Sequence, residues 1–321
     1  MLGGRTPARR LSSGEIPRRS PGRAEGHPPR AQRGDGAGVH ARSERGNPCA
    51  HQAAAGAFPA GAAGGGARMK PEELEQRIRQ IDGFVRVLTQ ECHILDERRH
   101  ILSPLIQDPA IQAGLKAKLD KTPGANAWNH LAPLLGQDLV RDQSRLFLDN
   151  DLRSGSLTNL WRKLQADPAI KERYRERYGR MFDHFHDEPI SDLPPESSAV
   201  FQEKFRQSDR DENYSRFDNG WEKVSNEMVI LSADPVAAKI KTLRDKHHAH
   251  LEMRKLDEEP GAFDINTLGL TFNEVLAFGD RCQAIVAELG LLLTGTSWDP
   301  QQYASVHEAQ GKAMWKTLAG V

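Results

Sequence analysis

The sequence predicts an all-α fold, a multi-helix bundle preceded by a disordered N-terminal extension. Apolar residues recur at spacings of three and four through most of the chain after Met69. A capping residue followed by proline, the start signal of a helix, recurs at Asp167-Pro168 and Asp234-Pro235. Alternating β patterns are nearly absent. Together these call for about seven to nine helices.

The formal net charge of zero over 321 residues averages two unlike segments. Residues 1–68 hold 11 Arg, no Lys, four acidic residues and half of the 28 glycines. That leader therefore carries about +7 and the rest about −7, which argues against a broadly basic nucleic-acid-binding body. With few large apolar side chains, it cannot bury enough surface to offset its ordering entropy. It also lacks the alternating apolar positions of an amphipathic transit peptide. Lys and Glu enter normal use only from Met69-Lys70-Pro71-Glu72, so Met69 is the expected start and the leader an upstream extension. Residues 69–300 are expected to form the helical domain, and 301–321 a tail or short helix.

The chain has no apolar run of about 18 residues, hence no expected transmembrane helix and no membrane partner. Cys49, Cys92 and Cys282 are too few and scattered for a disulfide framework, so a reducing cytoplasm fits.

Pro71 opens the first helix, where its missing N–H costs nothing, and Glu72 and Glu73 suit the positive helix end. Leu74, Ile78, Ile81, Val85, Leu88, Cys92 and Leu95 form its apolar stripe, and Pro104 is expected to break or bend it. A short helix over Ala110–Leu119 should end in a Thr122-Pro123-Gly124 turn. Residues 130–149 read as a long helix burying Leu131, Leu134, Leu135, Leu139, Leu146 and Phe147. Ser156 or Thr158 caps a helix through Leu164. Asp167-Pro168 starts a charged helix with Tyr174, Tyr178, Phe182 and Phe185 as core, and Lys171–Arg180 as a solvated face. Asp187–Pro195 reads as a loop, and Glu196–Gln207 and Tyr214–Leu231 as two further helices. Asp234 caps a helix burying Val236, Ile240 and Leu243, and Thr271 caps a last strong helix through Leu292.

The Asp234 helix runs into Arg244-Asp245-Lys246-His247-His248-Ala249-His250. This run supplies a permanent cation and bases that titrate near neutrality, both useful to chemistry on a phosphodiester. On an ideal helix His250 stands about 120° from Arg244. The two could border one cleft if the helix loosens near His250, or if a second subunit supplies the opposing wall.

An Arg, a polar residue and a His four to six positions after the Arg resemble the signature of the HEPN superfamily of helical ribonucleases and RNA-binding proteins. The string Leu243 to His250 is similar to its AbiU-type phage abortive-infection branch. Ser144-Arg145-Leu146-Phe147-Leu148-Asp149 with Ser156-Leu157-Thr158-Asn159-Leu160 resembles that branch's central segment, and Leu270-Thr271-Phe272-Asn273-Glu274 its closing helix. The resemblance implies metal-independent RNA cleavage in phage defence or as a toxin, with no cofactor. It makes Arg244 the phosphate clamp, His250 the base or acid, Asp245 an orienting residue, and His247 and His248 possible assistants. RNA, a second copy in a homodimer, and an antitoxin or defence partner are the implied partners. The alternative is a non-catalytic RNA-binding or protein-interaction module.

Other readings of the run stay open. Arg244 could form a surface salt bridge with Asp245 or Glu252, and His250 could favour the negative end of its helix. Asp245, His247, His248 and His250 are all possible metal ligands, yet positions i, i+1 and i+3 on a helix do not converge on one ion. His184 and His186 lie elsewhere, two residues apart.

Overall fold

A computed structural model describes residues 69–321, except 189, 191, 192, 250, 251 and 255–259, and leaves aside the side chains of 248 and 249. The expectations for residues 1–68 lie outside the described residues. Nine α-helices follow in order, with no β-strand among the described residues and one isolated bridge, Met253 to Ala262. The all-α expectation holds.

The spine is α1, Pro71–Gln107, 37 residues long and so about 55 Å. Its stripe from Ile78 through Leu95 to Leu102 is buried against α8 (Phe272–Thr294), α9 (Ala304–Ala319) and α3 (Pro123–Gln143). Pro104 does not end the helix. Its missing N–H costs one internal hydrogen bond, and the helix runs on to Gln107. The break falls at Asp108, whose carboxylate accepts from the N–H groups of Ala110 and Ile111 and so caps α2, Pro109–Leu119.

The second long helix starts earlier than its apolar pattern predicts. Pro123 occupies the first turn of α3 instead of a loop, and Pro133 lies inside the helix. Leu139, Leu146 and Phe147 are buried as expected, but Leu131 is 57% and Leu134 54% exposed, and Leu135 is exposed with them. The middle of α3 thus carries an apolar stripe left exposed among the described residues.

Next come α4 (Leu157–Leu164) and α5 (Pro168–Gly179). The charged face of α5 is not simply solvated. Arg173 pairs with Glu75 at 2.9 Å, Arg177 with Asp82 at 2.8 Å, and Arg175 with Asp218 at 3.0 Å, so its arginines bridge α1 and α6. Tyr174 joins the core, its hydroxyl donating to Asp82 at 3.0 Å, and burial raises its pKa. Phe182 and Phe185 lie beyond the end of α5 and are exposed, against expectation.

One continuous helix, α6 (Pro195–Ser232), replaces the two expected. The polar stretch Ser208 to Asn213 looks like an interruption but holds no Gly or Pro. Its charges are matched, Arg210 to Asp183 at 2.5 Å and Arg216 to Glu212 at 2.5 Å, so nothing breaks the helix. After it come α7 (Pro235–Leu243) and α8, whose Thr271 and Glu274 form the reciprocal capping box.

Within 301–321, where a tail or short helix was expected, α9 forms and lies along α1 and α2. The crossing is close because Gly311 has no side chain: a Cβ there would stand 2.4 Å from the Ile101 carbonyl oxygen and 2.7 Å from its Cα. One turn on, the Trp315 indole N–H donates to that same carbonyl at 2.7 Å.

Candidate functional site

Arg244 is positioned from the start of its own helix. The Asp234 carboxylate accepts from Val236 N–H at 2.7 Å, capping α7, and also pairs with Arg281 on α8. Ile240 and Leu243 are buried and fix the rotation of α7. At Arg244 the backbone changes to a π turn, Arg244–Ala249, with i→i+5 hydrogen bonding. In that geometry the position one bonded turn above Arg244 is Ala249, where an α-helix would put His248. The helix does loosen, but at Arg244 itself, six residues before the expected place. Single π turns of this kind are frequent at functional sites.

Arg244 is partly buried, and Asp245 reaches back to it. One carboxylate oxygen accepts from Nε at 2.8 Å and lies 2.7 Å from Nη2. The remaining terminal nitrogen, Nη1, faces Asp149 at 3.9 Å. Of the two salt bridges considered from sequence, the one with Asp245 forms. Glu252 pairs instead with Lys246, at 2.7 Å. Lys246 also stands 4.8 Å from the Phe263 ring centroid, and Phe263 N–H donates to the Glu252 carbonyl at 2.8 Å. Lys246 thus holds Glu252 and Phe263 against the π turn. His247 is half-buried on that turn, while the side chain of His248 and all of His250 lie outside the described residues.

Asp149 closes the Ser144–Asp149 segment that carries part of the resemblance, and its place beside Arg244 is the structure's main addition. It follows a second π turn, Ser144–Leu148, which packs against α7. The loop after it is held by side chains of α4. Ser156, the cap of α4, donates to the Asp149 carbonyl, and Thr158 donates to that of Phe147, each at 2.5 Å. The Asn159 amide donates to Leu152 at 3.0 Å and Ser154 at 2.5 Å, and Arg162 donates to Asn150 at 3.2 Å. The segments beginning at Ser144 and Ser156, distinct in sequence, are thus one structural unit that presents Asp149 to Arg244.

A family model described as AbiU2 (HEPN_AbiU2) matches residues 78–314, most of the chain. The chain belongs to the AbiU2 family of HEPN proteins. No curated protein and no solved structure matches it. The matched span takes in both π turns and α8 and runs into α9, so the AbiU2 pattern covers the whole set of elements that position Arg244.

Among the described residues no three His, Cys, Asp or Glu side chains converge as a metal site. His184 lies on Phe185, ring centroids 4.1 Å apart, and His186 pairs with Asp209 at 2.7 Å. Cys92 and Cys282 are core thiols whose pKa values burial raises. No helix among the described residues is long and apolar enough to cross a membrane.

Proposed function

We propose that this AbiU2-family chain is a metal-independent endoribonuclease acting in phage defence or as a toxin. The observation that carries the reading is the partly buried Arg244 at the start of a π turn, in a chain belonging to an HEPN family. Asp245 occupies one edge of the guanidinium and leaves N–H donors for two charge-assisted hydrogen bonds to phosphoryl oxygens. In this reading neutral His250 takes the proton from a ribose 2′-OH. The 2′-oxygen attacks phosphorus, the bond to the 5′-oxygen breaks, and that oxygen leaves with a proton. The products are a 2′,3′-cyclic phosphate and a 5′-hydroxyl. Arg244 stabilises the charge that grows on the phosphoryl oxygens, Asp245 orients Arg244, and His247 and His248 assist. Asp149 competes with phosphate for Nη1 until substrate displaces it.

The test is full-length protein with single-stranded RNA in EDTA, beside Arg244→Ala and His250→Ala. Each substitution should slow cleavage by about 10²–10⁴-fold. Cleavage that survives both would remove the site, and RNA binding without cleavage would favour the non-catalytic module.

The same reading includes a homodimer with two Arg244 turns facing each other. The uncovered Leu131, Leu134 and Leu135 stripe supports it, because α3 is also the helix against which the Arg244 turn packs. An antitoxin or defence partner belongs to the proposal too.

A further inference from the structure

The N-terminal half of α6 and the 3-10 turn Asp183–His186 carry a second feature, unrelated to Arg244. Phe182, Phe185, Phe201 and Phe205 are all exposed, Phe185 at 68%. Single exposed apolar residues need no explanation, but two sets of rings on adjoining elements do. Phe201 and Phe205 stack at 6.5 Å, Phe205 continues to His186 at 6.4 Å, and Phe182 meets Phe185 at 5.9 Å.

Ion pairs hold these rings in place, and their geometry is one-sided. Arg206 pairs with Asp187 and Glu203, and His186 pairs with Asp209. The basic partners are turned inward, Arg206 at 22% and His186 at 19% side-chain exposure. The carboxylates stay out, Asp187 at 70%, Glu203 at 62% and Asp209 at 45%. Over 183–188 and 196–212 the sequence has eight carboxylates against Lys204, Arg206 and Arg210. Solvent therefore meets aromatic rings set in negative charge.

We propose that this face docks a basic amphipathic protein segment, rich in arginine with apolar side chains between. Its guanidinium groups would pair with the outward carboxylates and lie over the rings. The chain already uses that contact nearby, with Arg175 4.5 Å from the Tyr214 ring centroid on α6. The apolar side chains would cover Phe201 and Phe205. A nucleic acid would bring phosphates against carboxylates, and a second copy docked by its own equivalent face would bring carboxylates against carboxylates, so both are disfavoured.

The experiment uses the full chain and a fluorescein-labelled helical peptide of arginine and leucine, followed by anisotropy at about 0.15 M salt. Binding is expected in the range of about 1–100 µM. Phe201→Ser with Phe205→Ser should weaken it at least about tenfold, without changing the circular dichroism spectrum. Lys204→Glu, which removes an exposed cation beside the stripe, should tighten it severalfold. The proposal is overturned if the peptide does not bind by about 1 mM. Equal affinity for the double variant, or equal binding of a peptide with glutamate for arginine, would also overturn it. So would loss of single-stranded RNA binding or of self-association in the double variant, which would assign the face to those occupants.

Discussion

Replacing Gly311 by alanine sets two effects of opposite sign against each other. In an ordinary helix interior Gly→Ala stabilises by about 1 kcal/mol, through the entropy of the unfolded chain and helix propensity. At Gly311 the added methyl meets the Ile101 carbonyl oxygen at 2.4 Å, its Cα at 2.7 Å and its carbonyl carbon at 2.9 Å. These are backbone atoms of α1 and cannot rotate away, so α9 must move outward. Overpacking of this kind costs about 1–3 kcal/mol. The shift also strains the Trp315 hydrogen bond to Ile101, and a buried donor left unpaired costs about 1–3 kcal/mol more. The net expectation is a loss of about 2–4 kcal/mol, or a fall in Tm of roughly 5–15 °C for a body of this size. Gly83 on α1 is the control, because a Cβ there meets nothing within 4 Å. Gly83→Ala should raise stability by up to about 1 kcal/mol. Both variants are read by urea and thermal melts at 222 nm. A Gly311→Ala protein as stable as Gly83→Ala would refute the close crossing of α1 and α9.

Three further outcomes are expected. Ser156→Ala removes both the α4 cap and the donor to Asp149, and should cost about 1–2 kcal/mol in the same melts; an unchanged midpoint would mean that this loop is not tied to α4. The Glu274 carboxyl is held below its ordinary pKa, first by the Thr271 N–H and then by the Thr271 hydroxyl, so its contribution is present above the unfolded value of about 4.3. Glu274→Gln should therefore be less stable than the parent at neutral pH, with the gap closing as pH falls through the lower folded value; a gap constant down to acid pH would contradict the capping box. Leu131→Glu with Leu134→Glu should shift the proposed dimer to monomer in sedimentation while leaving the melt within about 0.5 kcal/mol, because both side chains are exposed in one chain.

Most of the helix starts were legible because they rest on local chemistry. Asp167, Asp234 and Thr271 each accept from the backbone of the helix they were expected to cap. What periodicity could not tell is whether an apolar stripe finds a neighbour: Leu131 and Leu134 have core spacing, but among the described residues no element buries them. Nor could it tell an interrupted helix from a polar one, since Arg210, in the polar stretch of α6, pairs with Asp183 on another element. For the candidate site, Arg244 and Asp245 were visible in one run. Asp149 was not, because it lies 95 positions from Arg244 in sequence and reaches it through the docking of α7 on the Ser144–Leu148 turn. The π turn at Arg244 has no counterpart in residue spacing, and no local sequence feature accounts for it.

The loop between Leu148 and Ser156 is spanned by side chains of α4 that grip carbonyls on both sides of Asp149. Because carbonyls are the gripped groups, the loop can change most of its side chains without losing its anchors. Its length is another matter. One inserted or deleted residue would put every carbonyl out of step with Ser156, Thr158, Asn159 and Arg162 together, and carry Asp149 away from Arg244. Substitution tolerance combined with intolerance to insertion is the behaviour to seek in a mutational scan of this stretch.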